Sequence, residues 1–412
     1  ISSPLLSIES LFFSPSLLLM PRFPLADPTR QTPNEIPNFI NIGTSRFRDF
    51  FVPKSFDRDY QNPIHLGTGG YGIVIGLEGV ANNRNGIAIK KFLTPFDTAR
   101  KAQRCYRELQ LLRELDHENI VKMRCIYTTD RSVNHLFAVY LVTEFAGLDL
   151  EIRLQQETAL RHVYTLNSFK NMISDLLRAL KYLNSANVIH RDLKPDNLAI
   201  SDDGKLTLLD FGIARVVDEN NEHTKNPGTK YYRAIETIAF GMNDRQVYNE
   251  RADIWSIGAI LCEMITGSIL FKSAPNQSDN PILRSLEICG PIPENVLVEE
   301  VDDVPSQQYL RVKSATALRR DFMQYFDQQG RPWLRNEIER DGPALLDFIN
   351  RTLAFDHRAR MSVDEALAHP FLSAARVPHR EVLAGHLIPD VGNLTIEEYR
   401  QLIWNAIQAN PP

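Results

Sequence analysis

Cysteine is scarce: Cys105, Cys125, Cys262 and Cys289 are the four among 412 residues, and none stands in Cys-x-x-Cys spacing. That excludes a disulfide framework and a structural zinc cluster, and it fits a reducing compartment. Long apolar runs are also missing, so nothing reads as a membrane-spanning helix. The nearest, Leu11 to Met20, is broken by Pro15, and the first basic residue, Arg22, comes behind it. A secretory leader carries its basic residues in front. As the chain begins with Ile1, this segment reads as a leader without order or as sequence ahead of a start at Met20. Neither sign of charge dominates: 46 Lys plus Arg face 51 Asp plus Glu, a net charge of −5. Coating nucleic acid or an anionic membrane by bulk charge is thereby excluded. What is present, 43% hydrophobic and 24% charged residues, is ordinary globular composition, long enough for two or three domain-sized units.

Pro21, Pro24, Pro28, Pro33 and Pro37 block regular helix and sheet, so residues 1–50 read as a flexible, Pro-rich arm. Segments 61–92 and 136–145 are rich in Ile, Val and Gly and read as strands. Beyond residue 165 the apolar spacing becomes helical. Phe169, Met172, Ile173, Leu176, Leu177, Leu180 and Leu183 mark one face of a long helix. Ile254, Ile257, Ile260, Leu261 and Met264 mark a second, apolar nearly all round and so central. Ser362 with Glu365, and Thr395 with Glu398, have capping-box spacing. The second pair opens a C-terminal helix with Tyr399, Leu402, Ile403 and Ile407 on one side. The outline is α+β: a small strand-rich unit, a larger helical unit, and a tail ending in a helix. No internal repeat is visible.

The first chemical signal is Gly67-Thr68-Gly69-Gly70-Tyr71-Gly72-Ile73-Val74. Glycines let backbone N–H groups close on phosphate oxygens with no Cβ in the way. Alone, the run fits a ligand-free hairpin turn equally well. In a dinucleotide fold the glycines would open a helix and an acid would follow about 20 residues on. Here β-branched residues continue the run, and the residue eighteen positions after Gly72 is Lys90. In an alternating strand Ala88 and Lys90 share a face: the small residue leaves room for a flat base and the lysine reaches phosphate. Eighteen further on, Glu108 lies in a helical stretch, either holding the Lys90 ammonium or facing solvent. The decisive segment is His190-Arg191-Asp192-Leu193-Lys194-Pro195-Asp196-Asn197, followed by Asp210-Phe211-Gly212. A carboxylate at 192 can orient a hydroxyl and accept its proton, and Lys194 can neutralise a transferring phosphoryl group. Asn197 and Asp210 offer oxygen ligands to magnesium.

In this order and spacing the set resembles the protein-kinase signature: glycine loop, strand lysine, helix glutamate, HRDxxxxN loop and DFG. Asp253-Ile254-Trp255-Ser256-Ile257-Gly258 resembles the start of that family's buried helix. The resemblance covers about residues 55–372 and implies a bilobal fold, with a β-rich N-lobe at 51–145 and an α-helical C-lobe at 146–372. Closer still is the mitogen-activated (MAP) kinase family, in particular its stress-activated branch. RCYRELQLLRELDHENIV, LVTEFAGLDL, KLTLLDFGIAR and TLAFDHRARMSVDEALAHPFL carry this likeness. It implies an insert at about 268–335 and an extension, 373–412, packing back on the N-lobe. It also implies ATP and Mg2+ as cosubstrate and cofactor, and transfer to serine or threonine. By the match, Thr143 is the gatekeeper and Glu144, Phe145 and Ala146 form the adenine hinge. Asp149 lies near the ribose, and Leu66, Gly67, Gly69, Gly72, Val74 and Ala88 enclose the nucleotide. Protein substrates, an upstream activating kinase and phosphatases are implied partners, for a monomer acting in cytoplasm and nucleus without nucleic acid or membrane.

The resemblance departs from the family in four places. Counting back from Tyr232-Arg233-Ala234, the phosphothreonine position is Thr224, but the phosphotyrosine position is Asn226, so the TxY motif reads Thr-Lys-Asn. Arg104, Arg107, Arg191 and Arg215, which would read a phosphate on Thr224, are all present, which implies a single-site switch. The Ala-Pro-Glu motif reads Ala234-Ile235-Glu236, with its implied partner Arg360 kept. Asp196 stands where MAP kinases usually carry a small residue, and is expected to point to solvent. The acidic docking cluster is replaced by the basic or neutral stretch Ser373 to Glu381, predicting weak binding of basic docking peptides. Asp390 or the run Glu299 to Asp303 are acids that could substitute. Arg233, with Thr229, shapes the implied pocket for a proline after the acceptor. Two other readings stay open: a kinase-shaped scaffold with negligible turnover, and a nucleotide-binding oxidoreductase, which the residues after Gly72 disfavour.

Overall fold

The structure, a computed structural model, describes residues 36–43, 49–80, 86–156, 164–216, 230–238, 249–273, 279–301 and 304–412. Its N-terminal part is a five-stranded antiparallel sheet. In chain order it opens with a short hairpin, β1 (Phe39–Asn41) and β2 (Phe51–Pro53). The sheet strands are β3 (Tyr60–Gly69), β4 (Gly72–Gly79), β5 (Ile87–Phe92), β6 (Met123–Tyr127) and β7 (Tyr140–Glu144), in the order β3-β4-β5-β7-β6. Between β5 and β6 runs helix α1 (Ala99–Glu114), started by Thr98, whose side chain accepts from the Lys101 N–H. Inside the expected irregular arm, residues 1–50, Phe39–Asn41 is therefore a strand instead. Between Pro37 and Pro53 no proline interrupts the chain, and Phe39 stacks on Tyr127 at 5.9 Å. Phe50, Phe51 and Val52 are buried with Ile75, Ile87 and Val142 in one apolar cluster.

β8 (Leu148–Asp149) and α2 (Leu150–Gln155) lead into the C-terminal part. Its long helix is α3 (Leu166–Ser185), with the predicted apolar face buried from Phe169 to Leu183. β9 (Val188–Ile189), β10 (Leu198–Ile200), β11 (Leu206–Leu208) and β12 (Arg215–Val216) are short pieces, and β10 reaches the floor of the cleft through Ala199. They pair as β11-β10-β8 and β12-β9. After α4 (Ile235–Ile238) comes α5 (Arg251–Thr266), buried from Ala252 to Ile265 and ended by Gly267 at φ 74°. Helices α6 (Pro281–Cys289), α7 (Glu294–Glu300), α8 (Val304–Ser314) and α9 (Phe322–Gln329) follow, then α10 (Arg335–Thr352) and α11 (Val363–Leu367).

The final helix, α12 (Ile396–Ala409), crosses back to the N-terminal part. Tyr399 lies 6.1 Å from the Tyr106 ring on α1, and the Ile126 N–H bonds the Asn410 carbonyl. Both capping boxes form: Ser362 with Glu365 opens α11, and Thr395 with Glu398 opens α12. Among the described residues no helix is long and apolar enough to cross a membrane.

Candidate active site

The sheet, α1 and the floor strands enclose a cleft of about 930 Å3, the size range of small-molecule sites. Its roof is the β3–β4 turn. At Gly67, Gly69 and Gly70 an added Cβ would meet nothing within 4 Å, so open space lies against this turn for a ligand. Leu66, Gly67, Gly69, Gly72 and Val74 line the roof, and Ala88 and Lys90 the adjoining strand. At the rear Thr143 pairs with Ala88 across β5–β7. Glu144, Phe145, Ala146 and Asp149 form the connecting edge. There the Phe145 N–H is taken by the Gly86 carbonyl, at 2.9 Å, so it does not face the cleft. Gly147 adopts φ +113°, and a Cβ on it would meet the Ile200 carbonyl oxygen at 2.2 Å. Only glycine fits that close approach.

Inside the cleft, Lys90 donates to both carboxylate oxygens of Glu108, at 2.7 and 2.8 Å, and lies 3.3 Å from Asp210. Burial opposes its charge, yet Asp210 and Glu108 together hold its pKa above the ordinary lysine value. Burial also opposes charge on Asp210, but Lys90 and the Gly212 N–H bring its carboxyl below the usual range. The Gly212 N–H donates to Asp210 Oδ1 at 3.0 Å, and a Cβ on Gly212 would crowd Asp210 and Glu108 at 3.1 and 3.3 Å. Glycine here keeps the acids close to the lysine.

Asp192 faces this group from the floor. The Asn197 amide donates to its carbonyl at 2.8 Å and to its carboxylate at 3.1 Å. That orientation leaves the Asn197 amide oxygen directed elsewhere. Lys194 lies 3.9 Å from Asp192 on one side, and Arg233 lies 3.9 Å away on the other. The loop carrying these groups and the segment after β11 are both strained: Arg191 and Asp210 adopt φ of 73° and 48° although neither is glycine. Asp253, at the start of α5, over-determines the turn by accepting from the His190 and Arg191 N–H groups, both at 2.9 Å. His190 also meets the Phe211 ring edge-on at 5.2 Å and contacts the Leu209 carbonyl at 3.1 Å.

The four arginines divide. Arg107 from α1, Arg191 from the loop and Arg215 from β12 converge, so that Arg191 opposes the charge of the other two. Burial and the charges of Arg191 and Arg107 push Arg215 down to about 10. Asp390, in the strap before α12, is the counter-charge to Arg107 and Arg215. Arg104, one turn from Arg107, stacks its guanidinium over the Tyr71 ring at 4.3 Å and thus touches the glycine turn. Thr224, Asn226 and Thr229 lie outside the described residues. Glu236 meets Arg360 through two hydrogen bonds, at 2.7 and 3.0 Å.

Asp196 is exposed, as expected, and its carboxylate also lies 3.2 Å from the Lys194 ammonium. The same carboxylate, with burial, pushes the neighbouring Glu151 up to about 7. The bracing role of Asp253 was not visible in the sequence, because it acts on backbone N–H groups. In the stretch 373–381, Arg376 pairs with Glu381 at 2.7 Å and Arg380 pairs with Glu118. Of the acids considered as substitutes, Glu299 pairs with Arg358, Glu300 with His357 at 3.2 Å, and Asp390 lies beside Arg107, while Asp302 and Asp303 lie outside the described residues.

The geometry suits a magnesium-bound polyphosphate. Asn197 and Asp210 are hard oxygen donors. Among the described residues no group of three or more His, Cys, Asp or Glu is placed to hold a metal alone. A metal held by one or two side chains and completed by phosphates and water is how magnesium binds.

Comparison with known proteins agrees. Residues 60–372 match the protein kinase domain family. The chain is 35% identical over 365 residues to the mitogen-activated protein kinase pmk-3 of Caenorhabditis elegans, covering 87% of this chain and 74% of that protein. It is 34% identical over 355 residues to human mitogen-activated protein kinase 13, covering 85% and 89% respectively. With mitogen-activated protein kinase pmk-1 of Caenorhabditis elegans it shares 34% over 352 residues, 84% of this chain and 85% of that one.

Proposed function

The chain belongs to the protein kinase family, in its mitogen-activated branch, and from that membership we propose how its residues divide the work of catalysis. It is an ATP-dependent serine/threonine kinase that acts on proteins and answers to upstream kinases. Lys90, fixed by Glu108, aligns the α- and β-phosphates. Asn197 and Asp210 would hold the magnesium ion, whose charge offsets that of the phosphates. Asp192, oriented by the Asn197 amide, holds the acceptor hydroxyl and takes its proton, and Lys194 faces the phosphoryl group in transit. Little bond-making chemistry is asked of the protein, so rate comes from positioning and preorganised charge. The single observation that carries this reading is the contact of Lys90 with both Glu108 and Asp210 in one cleft with Asp192.

The arginines from α1, the catalytic loop and β12 support a switch on Thr224 alone, because three cations already sit together and Asn226 cannot be phosphorylated. Arg233 beside Asp192 supports a preference for proline after the acceptor, since proline offers no N–H and needs no acceptor there. The pairing of Arg376 and Arg380 with local acids supports weak capture of basic docking peptides, with phosphatases and substrates reached through other surfaces. No observation favours a scaffold without turnover. The test is transfer of labelled phosphate from ATP to serine and threonine peptides with and without a following proline. Labelled phosphoserine or phosphothreonine, highest before proline, is expected. Label on tyrosine only, or none, would overturn the reading.

A further inference from the structure

Lys194 is contested. Its ammonium lies 3.2 Å from Asp196 and 3.9 Å from Asp192. Asp192 has other partners: the Asn197 amide at 3.1 Å and Arg233 at 3.9 Å. Asp196 has Lys194 and, behind it, the Glu151 carboxyl from α2. Lys194 is only 19% exposed and Asp196 43%, so water screens the pair incompletely. Further carboxyls stand on the same side: Asp149 near Glu151, and Glu263, whose carboxylate accepts from Tyr232 at 2.7 Å. On this side of the floor Lys194 therefore has its nearest anion in a group that the transfer reaction does not need.

A cation held by a neighbouring carboxylate is less available to an anion that develops elsewhere. Only charge stabilisation that grows in the transition state speeds the chemical step. We propose that Asp196 is a positioning residue that holds Lys194 away from the transferring phosphoryl group and so sets the turnover of this kinase below what the cleft would otherwise deliver. The inference rests on the assignment of Lys194 and Asp192 to the transfer step. Asp196 lines the same cleft, and its proposed action is on Lys194.

The test is steady-state turnover, with ATP affinity measured in parallel. Asp196→Ala should raise kcat about fivefold, the worth of one partly screened ion pair, while leaving the affinity for ATP unchanged. Asp196→Asn, which keeps a polar side chain but loses the charge, should rise part of the way. Asp196→Glu should match wild type. The gain must also vanish in a Lys194→Met background, because a merely structural effect of residue 196 would persist there. Unchanged ATP affinity certifies the fold of each variant, and Asp196→Asn carries the test where alanine misfolds. A kcat for both Asp196→Ala and Asp196→Asn at or below that of an active wild type overturns the proposal alone. A gain that survives Lys194→Met does the same. A wild type that transfers no phosphate sinks the kinase reading, and this proposal with it.

Discussion

Glu236→Ala tests whether the altered Ala234-Ile235-Glu236 motif still anchors the activation segment. The pair it breaks is deeply buried: the Arg360 side chain is 0% exposed and that of Glu236 5%. Arg360 would keep the Ala354 carbonyl at 2.9 and 3.1 Å and the Arg251 carbonyl at 2.9 Å, and its guanidinium would still lie 5.2 Å from the Trp255 ring centre. Breaking one partner of a buried pair costs about 3–5 kcal/mol because the other charge is left uncompensated. The remaining carbonyls place this case at the low end, about 3 kcal/mol. Denaturant unfolding followed by tryptophan fluorescence suits the measurement, since Trp255 sits between Arg360, Phe271 and Phe355. The double variant Glu236→Met with Arg360→Met should recover most of the loss, as apolar replacements of buried pairs often do. A loss below about 1 kcal/mol, the worth of a surface pair, would refute the anchor, and the isoleucine would then have altered the segment after all.

Three further outcomes are expected. Burial pushes the Glu263 carboxyl up from 4.5 to about 7, so its contribution to stability is complete below about pH 4.5 and is lost as pH rises through 7. Glu263→Gln keeps an acceptor for the Tyr232 hydroxyl and cannot ionise. Its thermal midpoint should equal wild type near pH 5 and exceed it at pH 8, by about 2 kcal/mol of stability; equal midpoints at both pH values would count against this. Thr224→Ala, treated with an activating kinase, should lose at least tenfold in the stimulated rate while binding ATP normally; full stimulation would exclude a switch at this residue. A fluorescent lysine- and arginine-rich docking peptide should bind with a Kd well above the micromolar range, and micromolar binding would show that another acidic surface does the work.

Much of the nucleotide site was legible because its chemistry fixes both residue type and spacing. Lys90, Glu108, Asp192, Asn197 and Asp210 stand in a fixed order, and the folded chain brings all five to one cleft. The two capping boxes were equally readable, being local bonds between residues three apart. What escaped depends on contacts between distant elements. β1 is three residues long and makes sense only against β2 and Tyr127. β6 lacks clean alternation and is held between β7 and the end of α12. Asp253 works through backbone N–H groups, which carry no residue code. The exposure of Asp196 was legible, whereas the Glu151 carboxyl beside it comes from another element and was not.

The central claim is that these separated side chains divide into a nucleotide-holding group and one acceptor-orienting carboxylate. It is tested most directly by measuring magnesium-dependent ATP affinity and phosphoryl transfer on the same preparation of Asp192→Asn and of wild type. The account predicts equal affinity and a transfer rate lower by about a thousandfold. Transfer at the wild-type rate by Asp192→Asn would contradict it.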